Sequence, residues 1–325
     1  MNINFTPLNF KGYDAAPLKA LHVDSWTSRP IKPELEEIAK SEGFKIRSAL
    51  DYYKWAQDLK LIIEKEGKPF IVANNRTDLD YLNEVSKKYG IKSKVNDLIA
   101  TGGNTFIGKY PNGEKWMMVG FDELQTKSYQ YLSQEYGIKE ENIIAIPQQY
   151  YHLDMFMRPI GYPYVLVDNP ELSRSKISSL NKAEDIYDYL TITKNFRDFE
   201  SARSLNYDSY ENVIKTLKDA GFIPIEIAGV FASGVNFMNA IVNQHQDGTI
   251  SYITNSSKCK SKLLSKLQED FEKELRQKVP NIDKVYFVRG KDEFEDCEYL
   301  MENLAYRGGG LHCMTMEEPN FEVWA

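Results

Sequence analysis

Cysteine and histidine are both scarce, three of one and four of the other among 325 residues. Cys259, Cys297 and Cys313 form no C-x2-C pair. His22, His152, His245 and His312 lie far apart along the chain. No metal-ligand spacing is present, and no metal is expected. An odd, sparse set of cysteines fits free thiols in a reducing compartment. No apolar run reaches the roughly 18 residues that a membrane span needs. The opening MNINFTPLNFKGYDAAP lacks a basic stretch leading into a long apolar one, so no secretory signal is expected and a cytoplasmic location is. Basic charge is not in excess either. The formal net charge of −7 argues against a general nucleic-acid binder.

What is present points to a packed globular chain. Apolar residues make up 42%, with 21 Tyr, 16 Phe and 4 Trp. No Pro/Ser/Gly linker marks a boundary, so residues 1–325 are expected to form a single α/β domain. Strand-like and helix-like runs alternate. PFIVAN (69–74) reads as a strand, and DLDYLNEVSKKYG (78–90) as a helix stopped by Gly90. TFIGKY (105–110), the turn PNGEK (111–115) and WMMVGF (116–121) read as a hairpin. A helix over 122–137 and a strand over 142–148 follow. The pattern recurs later: a strand over 223–231, a hairpin over 238–254 with a DG turn, a helix over 258–279 and a strand over 282–290. The length accommodates five such units of about 65 residues each. Residues 170–220 read as a polar helical insertion between units.

Three short stretches carry residues capable of chemistry. In QQYYHLDMFMRPIG (148–161), an extended strand would project His152 and Asp154 to one side. There the carboxylate can orient the imidazole, or both can hold one substrate, or both can face solvent from a strand edge. In ATGGNTFIGKY (100–110), Gly102 and Gly103 suggest a bulge or a close backbone approach. Asn104 either binds a ligand or caps a tight turn. In AYRGGGLHCMTMEEP (305–319), glycines allow φ > 0 and leave room for a ligand. Cys313 there either lines a pocket or is a buried, inert thiol. Arg307 and His312 beside it can favour thiolate over thiol.

In this order, GGN, HLDMF and RGGGLHCMT resemble the guanidino-group modifying enzymes. That superfamily includes agmatine, arginine and peptidyl-arginine deiminases, dimethylargininases and amidinotransferases. GGGLHCMT looks most like the agmatine-deiminase version, and VNFMNAIVN (235–243) resembles the Asn-rich strand those enzymes carry. The resemblance spans roughly residues 95–160 and 223–317. It implies a five-bladed α/β propeller of ββαβ modules (the pentein fold), with no cofactor. It implies that Cys313 attacks the guanidino carbon, His152 shuttles protons and Asp154 clamps the cation. Asp97, Thr101, Gly103, Asn104, Asn239, Arg307, Gly309 and His312 are then expected to line the substrate pocket. The product would be a ureido compound plus ammonia.

This sequence departs from the family at two places. The acidic residue usual before the Gly-Gly pair is Thr101 here, and the first module shows no Arg-Asp pair. Asp97 and Asp24 are the carboxylates considered in its stead. Arg197-Asp198 in NFRDF (195–199) follows the His motif and reads as an unrelated helical pair. An amidinotransferase with the same three residues, or a non-catalytic binding protein on the same scaffold, are the competing readings. The expected partner is a small guanidino compound, or an arginine side chain within a protein. Neither nucleic acid nor membrane is expected, and a homo-oligomer follows the habit of relatives. DFEKEL (270–275) and KDEFEDCE (291–298) read as solvated helical charges rather than calcium loops.

Overall fold

The computed structural model describes residues 17–24, 31–49, 55–206, 210–232, 235–256, 261–289 and 309–324. Cys259, Cys297, Arg307 and the acidic stretch 291–298 lie outside them.

The chain opens with β1 (Leu18–Asp24), α1 (Lys32–Glu42) and β2 (Lys45–Ala49). The short α2 (Ala56–Leu59) leads into β3 (Lys60–Lys65), β4 (Lys68–Ala73), α3 (Leu79–Tyr89) and β5 (Lys92–Val95). Next come β6 (Thr105–Lys109), β7 (Lys115–Gly120), α4 (Tyr129–Tyr136) and β8 (Ile143–Ile146). The fourth group is β9 (Met157–Gly161), β10 (Tyr164–Asp168), three helices α5 (Pro170–Ser178), α6 (Ile186–Asn206) and α7 (Tyr210–Asp219), and β11 (Ile223–Ile227). A small ribbon, β12 (Val230–Ala232) with β13 (Val235–Asn236), precedes β14 (Ile241–Gln244), β15 (Ile250–Asn255), α8 (Lys262–Lys278) and β16 (Ile282–Val288). The chain closes with α9 (Leu311–Met314) and β17 (Thr315–Pro319).

Among the described residues, five three-stranded sheets share one pairing scheme. The middle strands β1, β4, β7, β10 and β15 each run antiparallel to one neighbour and parallel to the other. Each parallel step is made through helix, as a parallel crossover requires. In four sheets all strands are consecutive. In the remaining one, β1 pairs with β17 from the far end of the chain. Helices α3, α7 and α8 each bury an apolar stripe. On α8 the stripe is Leu263, Leu267, Phe271 and Leu275, all buried. No helix among the described residues is long and apolar enough to cross a membrane.

Most sequence expectations match these elements to within a few residues. Asp78 caps α3 by accepting from the Asp80 N–H at 2.8 Å, and Gly90 ends it at φ +71°. The DG turn joins β14 to β15 with Gly248 at φ +86°. Three expectations are corrected. The helix over 122–137 is a 3-10 turn (Phe121–Gln125) followed by α4. The strand over 223–231 breaks into β11 and β12, because the buried Asp168 carboxylate takes the N–H groups of Gly229 and Val230 at 3.0 and 2.9 Å. The helical stretch 170–220 is the crossover between β10 and β11, inside the fourth unit rather than between units.

Candidate active site

The position of Cys313 follows from sheet pairing. Register between β1 and β17 sets Thr315 opposite Val23 and Met316 opposite His22, which fixes the turn just before. That turn is α9, whose residues are all buried. The Thr315 hydroxyl donates to the Leu311 carbonyl at 3.0 Å and closes it. This is the structural task of the threonine in HCMT.

Three asparagines hold α9. Asn255 Oδ1 accepts from the Leu311 N–H at 2.8 Å. Asn239 Oδ1 accepts from the N–H groups of His312 and Cys313 at 2.9 and 3.4 Å, and Asn239 Nδ2 donates to Cys313 Sγ at 3.1 Å. Asn236 Oδ1 in turn accepts from the Asn239 N–H at 3.3 Å. A β-carbon on Gly310 would stand 2.6 Å from both Asn239 Oδ1 and Asn255 Nδ2. One on Gly309 would stand 2.3 Å from the Trp55 ring. These two glycines are needed for close approach, not for φ > 0, which neither adopts.

His152 and Asp154 do not share a strand face. His152 is extended, and Leu153–Met155 form a 3-10 turn that swings Asp154 inward. The two side chains meet instead over Gly103, itself in a 3-10 turn (Gly102–Asn104) rather than a bulge. A β-carbon on Gly103 would lie 2.7 Å from His152 Nδ1, 3.2 Å from Asp154 Oδ2 and 3.3 Å from Asp154 Oδ1. Asp154 Oδ2 accepts from two donors, His312 Nδ1 at 2.8 Å and the Cys313 thiol at 3.1 Å. Asp154 Oδ1 is buried and has no hydrogen-bond partner.

Sequence reasoning missed one carboxylate. Asp58, at the end of KWAQDLK (54–60), lies with Oδ1 3.7 Å from His152 Nδ1. That distance is too long for a hydrogen bond, and both atoms are buried without one. No Arg-Asp pair stands there, and Asp58 follows Gln57. The only signal for it in the sequence is an acidic residue between Trp55 and a strand. Asn255 was missed as well, since nothing in NSSK (255–258) marks it as a cradle for the Gly-rich turn.

The other expected pocket residues divide. Asp97 is exposed in the turn after β5 and does not join Cys313, His152 and Asp154. Thr101 is half-buried, and its N–H donates to Glu123 Oε1 at 3.2 Å. Glu123 is buried and paired with Lys127 at 2.6 Å, so a carboxylate stands near the position that Thr101 leaves uncharged. Asn104 is buried against Gly120, where a β-carbon would lie 2.1 Å from Asn104 Oδ1. Arg197-Asp198 is within α6, as expected. Asp24 ends β1.

Charge in the site is dominated by carboxylates. Burial opposes charging of Asp154, but its hydrogen bond and attraction to His312 outweigh this, and its pKa is lowered. For His312, burial and the Arg158 guanidinium oppose charging, and the hydrogen bond to Asp154 with the nearby Glu317 carboxylate overcomes them, so its pKa is raised. Both shifts favour the ionised pair over the neutral one. Burial lifts Asp58 to about 6, His152 opposing and Asp154 reinforcing. Cys313 moves the opposite way from the sequence expectation. Burial, then the negative charges of Asp154 and Asp58, push its thiol well above the ordinary range. The His312 ring nitrogens face Asp154 and Glu317 rather than sulfur, so the ring does not support a resting thiolate.

No protein-family model matches the chain, and no curated protein matches it. Solved structures do. An agmatine deiminase of C. jejuni has a TM-score of 0.55 at 16% identity, covering 98% of this chain and 99% of that one. A cysteine-to-serine form of C. jejuni agmatine deiminase with substrate bound gives 0.54 at 14% identity, with 98% and 99% covered. ArgZ, an arginine dihydrolase of the ornithine–ammonia cycle in cyanobacteria, gives 0.50 at 15% identity, covering 92% of this chain and 40% of that one. The chain therefore has the fold of the guanidino-group modifying enzymes.

Proposed function

We propose that the chain is a cysteine-dependent hydrolase of a guanidino group, releasing ammonia and leaving a ureido product. One observation carries this reading. Around Gly103 stand a thiol, an imidazole, the buried Asp154 carboxylate and the half-buried Asp58 carboxylate, and Asp58 Oδ1 and Asp154 Oδ1 have no hydrogen-bond partner. A guanidinium offers five N–H donors in a planar fork and one positive charge, which matches two such acceptors.

The resting electrostatics fit a substrate that activates its own nucleophile. Two carboxylates hold the thiol protonated until a cation neutralises them. The thiol proton then passes to His152, and Cys313 Sγ bonds to the guanidino carbon. His152 returns the proton to a departing nitrogen, the C–N bond breaks and ammonia leaves a cationic thiouronium. Water adds next, giving its proton to His152. The C–S bond breaks, His152 reprotonates the sulfur, and the proton released from the ureido oxygen balances the ammonia as ammonium.

The five sheets of one pairing scheme, and the β1–β17 pairing that joins the chain ends, support reading the architecture as a five-bladed α/β propeller. The single-domain reading over 1–325 rests on the same features. Agmatine and arginine head the substrate panel, because the enzymes compared act on them by name. The test is ammonia release by the purified protein from agmatine, arginine, methylated arginines and an arginine peptide, with Cys313→Ala as control. Ammonia from one substrate, absent in the variant, is the expected result. An amidino product without ammonia would make it an amidinotransferase.

A further inference from the structure

We propose that His312 is a positioning residue for this site: wedged between Asp154 and Glu317, it holds Asp154 by one oxygen and leaves the other for an incoming guanidinium. The inference rests on the hydrolase reading for the identity of the ligand and for its kinetic readout.

His312 is fully enclosed and has a carboxylate on each side. Nδ1 donates to Asp154 Oδ2 at 2.8 Å, and Nε2 stands 3.8 Å from Glu317 Oε2. Glu317 Oε1 accepts from Arg158 Nη2 at 2.7 Å, and Arg158 is also fully buried. The result is a buried row of alternating charge, Asp154, His312, Glu317, Arg158, drawn from the turn before β9, from α9, from β17 and from β9. Phe106 packs against it, with ring centroid 5.9 Å from that of His312 and 5.3 Å from the Arg158 guanidinium. The row is rigid on the protein side and open on one atom, Asp154 Oδ1, which is buried and has no hydrogen-bond partner.

This arrangement separates two tasks of Asp154. Oδ2 is saturated by His312 and the Cys313 thiol, which fixes the carboxylate plane. Both oxygens border the space around Gly103, 3.2 and 3.3 Å from where its β-carbon would stand, and Oδ1 is the one left without a partner. Without the imidazolium, Asp154 would face Asp58, Glu317 and the thiol, with Arg158 and His152 the remaining cations near it. It would take up a proton at higher pH and lose its orientation.

The experiment pairs His312→Asn, which keeps a donor near the Nδ1 position but no charge, with Glu317→Gln. Ring 15N NMR of the wild-type protein is expected to show His312 as an imidazolium that does not titrate between about pH 5 and 8. His312→Asn is expected to move the acid limb of kcat/KM upward by about one pH unit or more. It should also raise KM at least about tenfold, more than kcat falls. Glu317→Gln should shift the limb in the same direction by less. A neutral or titrating ring overturns the proposal. So does a His312→Asn enzyme with the wild-type acid limb, because a purely structural loss lowers activity uniformly with pH. If the wild-type protein turns over no guanidino compound, the reaction reading fails by itself, and the NMR titration still decides the state of His312. Should His312→Asn not fold, Glu317→Gln carries the kinetic arm.

Discussion

Asp154 Oδ2 lies 3.1 Å from Cys313 Sγ, and the thiol donates its hydrogen bond to that oxygen. A carboxylate this close stabilises the protonated sulfur, so the nucleophile rests as a thiol. Asp154→Asn removes that charge. It is expected to speed alkylation of Cys313 by iodoacetamide at pH 7 while cutting kcat/KM by about a hundredfold or more, because a guanidinium clamp is lost with it. Slower alkylation with unchanged turnover would show that Asp154 performs neither task.

Asp58 sets a second opposition between stability and activity. Its folded pKa of about 6 exceeds the ordinary 3.8, burial being the main cause. Its contribution to stability is therefore complete below pH 3.8 and lost as pH rises through about 6. Above pH 6 the ionised carboxylate is a strain that a bound cation relieves. Asp58→Asn is expected to raise stability at pH 8 by on the order of 1–3 kcal/mol in a urea melt and to weaken cation binding strongly. A variant less stable than wild type at pH 8 would contradict this.

Asn239 joins Asp154, His312 and Cys313 through one amide. Asn239→Ala leaves two buried N–H groups of α9 without their acceptor. The expected loss is about 2–4 kcal/mol of unfolding free energy, together with nearly all activity. Asn239→Asp restores the acceptor but brings a third carboxylate beside the thiol, so stability should recover more than turnover does.

Glu42 makes a pH-dependent joint far from the site. Its carboxylate accepts from the Tyr286 hydroxyl at 2.6 Å and from Lys284 at 2.9 Å, and it faces His245 at 2.9 Å, tying α1 to β16 and to the β14–β15 turn. Burial works against ionisation. Hydrogen bonds from Ser251, Tyr286 and Lys284 prevail, and the pKa falls to about 2. This lowered value means stability present above 4.5 and lost as pH falls toward 2. Glu42→Gln should therefore be less stable than wild type at pH 6, with the difference closing in acid. A difference that stays constant down to pH 2 would remove Glu42 from the acid response.

The sequence carried the local signals well where one element decides them. Caps at Asp78 and Gly90, the DG hairpin and the stripe on α8 all depend on neighbours in sequence. The three motifs of the site were also visible, since each is a run of residue types that chemistry needs together. What stayed hidden depends on distant contacts. The 3-10 turn that brings Asp154 over Gly103 breaks the strand alternation by which His152 and Asp154 were paired. Asp58 lies in a stretch with no motif spacing, and only packing of α2 against the Gly102–Asn104 turn shows its place. The state of Cys313 was misread because His312 is its neighbour in sequence, whereas Asp154, 159 positions away, is its neighbour in charge.

The most direct measurement is the joint appearance of ammonia and a ureido product from a guanidino substrate, with mass spectrometry of the protein during turnover. The account predicts stoichiometric release of both, a mass increase on Cys313 matching the amidino fragment of the substrate, and none of these in Cys313→Ala. Ammonia released equally by Cys313→Ala would contradict it, as would the absence of any adduct and any product across the whole panel.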